Sequence, residues 1–135
     1  MTLLTKGGKR MFTILNDKTI CLTRGDIATL DVSANQQNNE PYTFVAGDVV
    51  RFKVFEKKNC NYVILSKDVI VDTATTTVSI PLTSAETKIG TLVNKPIDYF
   101  YEIELNPDTN PQTIIAYDPI NAKIFRLFPE GGDLT

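Results

Sequence analysis

The stretch that most restricts how this chain can fold is Asp98-Tyr99-Phe100-Tyr101-Glu102-Ile103-Glu104-Leu105. In an extended chain, Tyr99, Tyr101, Ile103 and Leu105 fall on one face and Asp98, Phe100, Glu102 and Glu104 on the other. A period of two predicts a strand with one buried and one wet face. Asn106-Pro107-Asp108-Thr109-Asn110-Pro111 follows. Neither proline carries an N–H, and Asn and Asp side chains bond their own backbone, so no ladder runs through this segment. Gln112-Thr113-Ile114-Ile115-Ala116-Tyr117 is again β-prone. Together these segments predict a hairpin at the centre of an all-β domain.

The same punctuation recurs along the chain. Residues 12–15 and 19–23 predict short strands split by Asn16-Asp17-Lys18, with Ile20 and Leu22 on one face and Cys21 on the other. Arg24-Gly25-Asp26 predicts a turn, in which Gly supplies a positive φ and Asp bonds the backbone. The tripeptide is also the integrin-binding motif, but three residues recur by chance and turn chemistry explains them here. Ala28, Leu30 and Val32 alternate with polar residues. Residues 35–41 form a polar loop. Gly47-Asp48 then leads into a strand with Val50, Phe52 and Val54 on one face and Val49, Arg51, Lys53 and Phe55 on the other.

Residues 62–65 predict its hairpin partner, across a turn containing Lys57 and Lys58, and residues 69–71 a separate brief run. Val78, Ile80 and Leu82 alternate in a strand that Pro81 either ends or places at an edge. Thr83-Ser84-Ala85-Glu86 fits a capping box and predicts a short helix over residues 84–90, limited by Gly90. A last strand falls within residues 122–128. The organisation expected is a flexible segment at 1–11, one β-sandwich domain at 12–130 and a tail at 131–135, with about eight or nine strands.

Composition narrows the chemistry. The chain has 135 residues, enough for one real core, and a net charge of −2, which gives no basic footprint for nucleic acid or an anionic membrane. It contains no histidine, so the usual general base, the Ser–His and Cys–His pairs and the commonest metal ligand are all missing. Cys21 and Cys60 are too few for a disulfide framework and are expected as thiols of a reducing cytoplasm. No window is apolar enough to span a membrane, and residues 1–10 lack the apolar core of a signal peptide. Gly7-Gly8 lacks the Lys-Ser/Thr of a phosphate loop.

Three sets of residues invite a chemical reading. Glu102 and Glu104, about 7 Å apart by strand rise, have the composition of a glycosidase acid–base pair. A solvated face with cross-strand partners such as Arg51 and Lys53 accounts for them more simply. Asp98, Asp108 and Asp118 have oxygen ligands for calcium, yet each sits in or beside turn chemistry and none has calcium-loop spacing. Phe55 and Phe100 take the outward parity of the two surest strands, beside Arg51 and Lys53. These four are the candidate interface residues, because aromatics concentrate at the cores of protein contacts.

A tyrosine-rich strand after a short helical turn resembles the E–F corner of immunoglobulin-like sandwiches. More specifically, residues 12–130 resemble the N-terminal domain of phage baseplate upper proteins and related prophage tail proteins. The resemblance rests on Arg24-Gly25-Asp26, residues 47–54, the Leu82-Thr83 capped turn, residues 99–105, and residues 114–118 running on to Lys123-Ile124-Phe125. It implies an immunoglobulin-like antiparallel sandwich and a non-enzymatic structural protein of a phage or prophage tail. Such a protein is made in the bacterial cytoplasm without a signal peptide and sits in the virion. It contacts other tail or baseplate proteins, assembles with copies of itself, and uses no cofactor or metal. In that family the head-like domain is followed by further segments, so this chain is expected to be a short relative or a fragment. The alternative is a carbohydrate-binding or host-adhesion module, which predicts a planar row of exposed aromatics.

Overall fold

The computed structural model describes residues 2–5, 12–14, 18–36, 40–56, 62–90, 95–115 and 123–129. In chain order the elements are β1 (Thr2–Thr5), β2 (Phe12–Ile14), β3 (Ile20–Thr23), β4 (Ala28–Ser33), β5 (Val49–Phe55), β6 (Val63–Ile70), β7 (Val78–Leu82), α1 (Ser84–Thr87), β8 (Ile97–Leu105), β9 (Gln112–Ile115) and β10 (Ile124–Phe128). They make an all-β sandwich. A three-stranded sheet has the order β1-β4-β7, and a seven-stranded sheet the order β2-β3-β10-β8-β5-β6, with β9 added on β8.

The sheets form because alternation gives each strand one apolar face, and the two apolar faces bury each other. Leu30, Val32, Ile80 and Leu82 of the small sheet share one core with Phe52, Val54, Tyr101, Ile103 and Phe125 of the large one. The Phe52 ring lies 5.6 Å from that of Tyr101 and 5.9 Å from that of Phe125. Tyr101 is fully buried, and its hydroxyl donates to the carbonyl of Lys18. A buried tyrosine requires such a partner for its polar tip. Strand β8 organises the large sheet. Its residues 100–105 pair with β5 along one edge; on the other edge residues 97–100 pair with β10 and residues 103–105 with β9. The predicted hairpin is β8–β9, turned at Asn106, whose φ is 49°.

Four details differ from expectation. Residues 1–11 contribute β1, paired with β4 from Thr2↔Ser33 to Thr5↔Leu30. A run of four residues is too short to announce itself by periodicity. The sandwich is not wholly antiparallel, because β10 runs parallel to β3; alternation carries no information about direction. The runs at 62–65 and 69–71 join as one strand, β6, through Ser66-Lys67-Asp68. Lys67 takes an inward register opposite Phe52, but at the sheet edge its ammonium reaches Glu86 of α1 at 2.9 Å. The helix stops at Thr87 instead of Gly90, since Lys88 leaves helical geometry at ψ 61° and Gly90 has φ 75°. The capping box is present as predicted, with Thr83 Oγ1 accepting from Glu86 N–H and Glu86 from Thr83 N–H.

Polar clasps close the two ends of the sandwich. At one end the fully buried Thr87 hydroxyl accepts the Gly25 N–H at 3.0 Å and donates to the Asp26 carbonyl at 2.8 Å. The Arg24 guanidinium donates to the Ile89 and Gly90 carbonyls at 3.0 and 2.8 Å. The Arg-Gly-Asp turn is therefore fastened to α1 and the residues after it. At the other end Gly47 N–H bonds the Val71 carbonyl at 2.9 Å and Val71 N–H the Asp48 carbonyl at 2.8 Å, while Phe44 and Thr75 exchange both backbone bonds.

Thr87→Val keeps the shape of the side chain and removes both bonds, leaving the Gly25 N–H and Asp26 carbonyl without the side chain that joins them. We expect a loss of about 1–3 kcal/mol in chemical denaturation, against about 1 kcal/mol or less for Thr87→Ser, which keeps the hydroxyl.

Candidate functional site

The outer face of the large sheet is a set of cross-strand rows. Arg51 stands opposite Asp68 on β6 and Glu104 on β8; Lys53 stands opposite Ser66 and Glu102. Arg51 holds Asp68 through two bonds of 2.7 and 2.9 Å and Asp108, from the β8–β9 turn, at 2.8 Å. Lys53 bridges Glu102 at 3.0 Å and Glu104 at 2.8 Å. Arg126 holds Asp98 at 2.6 Å. The bonds from Asp68 and Asp108 raise the pKa of Arg51, and the same Arg51 bonds lower that of Asp68. For Lys53, burial pulls the pKa down, but bonds to Glu104 and Glu102 outweigh it and the net shift is upward.

This geometry assigns the candidate carboxylates. Glu102 and Glu104 flank one ammonium on the outer face of a strand; they are cross-strand ion-pair partners. Asp98 and Asp108 are each committed to an arginine, and Asp118 lies outside the described residues. Among the described residues no group of three or more His, Cys, Asp or Glu is placed to hold a metal ion.

Between the charged rows runs an apolar one: Val63, Phe55, Phe100 and Ile124 are successive cross-strand neighbours. Phe55 and Phe100 are thus brought side by side, as their parity predicts. The expectation that both are exposed fails for Phe55, which is 8% exposed. The Lys53 ammonium lies 5.9 Å from the centre of its ring, and a bulge at Val54/Phe55 brings Val63 opposite it. Phe100 is half-buried. Tyr62 is the one aromatic among the exposed large hydrophobic residues described, so the described residues present no row of exposed aromatics.

Asp48 is the one buried carboxylate among the described residues, and its bonds hold the fold together. It accepts from the Tyr42 hydroxyl at 2.8 Å, Val45 N–H at 3.0 Å and the Asn106 amide at 3.1 Å, while Asn106 Oδ1 accepts Val49 N–H at 2.8 Å. Burial works against the anion, but the bonds from Val45, Asn106 and Tyr42 outweigh it and leave its pKa below the ordinary value. Burial, then the bond to Asp48 and its charge, push the Tyr42 pKa up. Gly47-Asp48 was legible as a turn; its link to Asn106 was not, because 58 residues separate them.

A cleft of ≈ 490 Å³ opens between β6 and α1, floored by Tyr99. Sequence reasoning missed it. Tyr99 reads as a core residue by alternation, and no local signal shows that Gly90 sits against its hydroxyl. Of the remaining candidates, Cys21 is half-buried on the outer face beside Arg126, whereas Cys60, Lys57, Lys58, Gly7 and Gly8 lie outside the described residues.

The Asp48 network fixes two pH limits. A carboxyl with a depressed folded pKa contributes stability above its unfolded value near 4, lost as pH falls through the folded pKa. A phenol with a raised folded pKa contributes stability below about pH 10, lost as pH rises through the folded pKa. Denaturant titrations across pH should show Asp48→Asn with a lower plateau and a shallower acid limb than the parent, by about 1–3 kcal/mol at neutral pH.

Compared with protein-family models, curated proteins and solved structures, the chain finds no match.

Proposed function

We propose that this chain is a non-enzymatic structural protein of a phage or prophage tail or baseplate, an immunoglobulin-like sandwich that works through protein–protein contacts in the virion. The observation that carries this is where the resembling residues lie. Arg24-Gly25, Gly47-Asp48 and the Thr83-capped turn form the clasps at the two ends, and Tyr99, Tyr101, Ile103 and Leu105 fill the core. What resembles the tail family is a rigid frame. Strand order supports the immunoglobulin-like assignment: β10-β8-β5-β6 run side by side in the large sheet and β4-β7 in the small one, matching the G-F-C-C′ and B-E neighbours of variable-type sandwiches. The outer charges are paired within the sheet, which suits a surface that is contacted rather than one that transforms a bound molecule.

The contact surface we assign is the row holding Phe100 beside the buried Phe55, with Arg51 and Lys53 setting register next to it through their ion pairs. A half-buried aromatic between satisfied charges has the apolar-centre, polar-rim layout of an interface.

Size exclusion with light scattering tests this. The parent chain should exceed monomer mass as concentration rises. Phe100→Asp should return it to monomer with little change in unfolding temperature, because the substituted side chain lies on the outer face. A parent that stays monomeric at every concentration and binds no tail component would count against the reading.

A further inference from the structure

The cleft between β6 and α1 has features the frame does not need. Its lining mixes apolar and polar groups, with the apolar side chains Ile64 and Leu65 from β6 and Ile89 from the segment after α1. Tyr99 lies at its base, 8% exposed, and its hydroxyl has no hydrogen-bond partner among the described residues. Buried hydroxyls ordinarily have a partner, and Tyr101 two residues on has one. Arg24 is close but committed to the Ile89 and Gly90 carbonyls. Two exposed ions stand at the rim, Glu56 and Lys88, neither in an ion pair among the described residues. Glu86 is different, neutralised by Lys67 at 2.9 Å.

The occupant follows from the neighbouring strand. β6 ends the large sheet, so alternate main-chain groups along its outer side face away from β5. An extended peptide can use those groups, and a small globular ligand cannot use them in series. The volume suits about two or three extended residues, within the range of pockets that bury ligands.

We propose that this cleft receives a short extended segment of a partner protein: an apolar side chain against Ile64, Leu65 and Ile89, a basic residue on Glu56 beside the Tyr99 hydroxyl, and an acidic residue on Lys88. This deepens the contact-module reading and rests on it.

The probe is the capped tripeptide Ac-Lys-Leu-Glu-NHMe, titrated into ¹⁵N-labelled protein, with Ac-Ala-Leu-Ala-NHMe as the neutral control. The amides of Ile64, Leu65, Ile89 and Tyr99 should shift saturably with a Kd in the millimolar range. Glu56→Gln and Lys88→Gln should each weaken binding by about three- to ten-fold, and Tyr99→Phe by about five-fold. Tyr99→Phe should unfold no earlier than the parent, since the lost hydroxyl bonds nothing described in the chain; spectra away from the cleft confirm that each variant is folded. Three results would overturn the proposal: no saturable shift, equal affinity for the neutral tripeptide, or cleft shifts that appear with protein concentration alone, which would make a second copy the occupant. A negative titration leaves the light-scattering outcome untouched, so the two readings fail separately.

Discussion

A two-sheet sandwich buries its apolar slab from above and below and leaves it open at the ends, where connections cross and main-chain groups lose their ladders. Everything else in this molecule depends on closing those ends without stranding a donor or acceptor, a loss of about 1–3 kcal/mol per buried group. Each closure uses a short polar side chain that serves two connections at once. Thr87, on the segment from β7 to β8, holds the turn between β3 and β4. Asp48, before β5, holds Asn106 after β8, and the carbonyl of Asp48 holds Val71 after β6. A hydroxyl that accepts and donates, or a carboxylate that accepts three times, fixes the spacing of two loops better than an apolar contact of the same area, because hydrogen bonds weaken steeply with angle and distance.

The sheet edges pose the opposite problem, since an unpaired strand invites a stranger. β7 ends the small sheet and carries Pro81 with its missing donor. β6 ends the large sheet and carries Lys67 in an inward register, where a bare apolar residue would extend the core to the rim. The Lys67–Glu86 pair does two things: it discourages indiscriminate pairing along the middle of β6, and it ties that strand to α1. It leaves the first residues of β6 unguarded, and that is where the cleft lies.

What the sequence makes legible divides by range. The β8 alternation, the Asn106–Pro111 turn, the capping box at Thr83 and the burial of Phe52 and Val54 depend on neighbours within a few residues, and all could be read. The direction of β10 against β3, the joining of β6 through Lys67 and the burial of Phe55 depend on residues far along the chain. Phe55 shows why: its parity was right, yet exposure depends on Lys53 and Val63 lying over and beside it, which periodicity does not register. The candidate carboxylates divide in the same way. Their place on the outer face was legible, and cross-strand pairing with Lys53 was named as the simpler alternative. The second carboxylate held by Arg51, Asp108, needed the β8–β9 turn to fold back over the sheet.

The cleft itself follows from the length of α1. Four residues make little more than one turn, enough to bring Thr87 to the Arg-Gly-Asp turn but too few to cover the gap up to β6. Gly90 then turns away at positive φ, and a Cβ there would stand 2.7 Å from the Tyr99 hydroxyl. Bare Cα is therefore what allows the tyrosine ring to lie under the end of the helix. The phenol there makes no hydrogen bond among the described residues. Tyr101 bonds backbone, through the Lys18 carbonyl, whereas Tyr99 lines the cleft. The early end of the helix thus leaves, beside Tyr99, the space that the proposed segment would occupy.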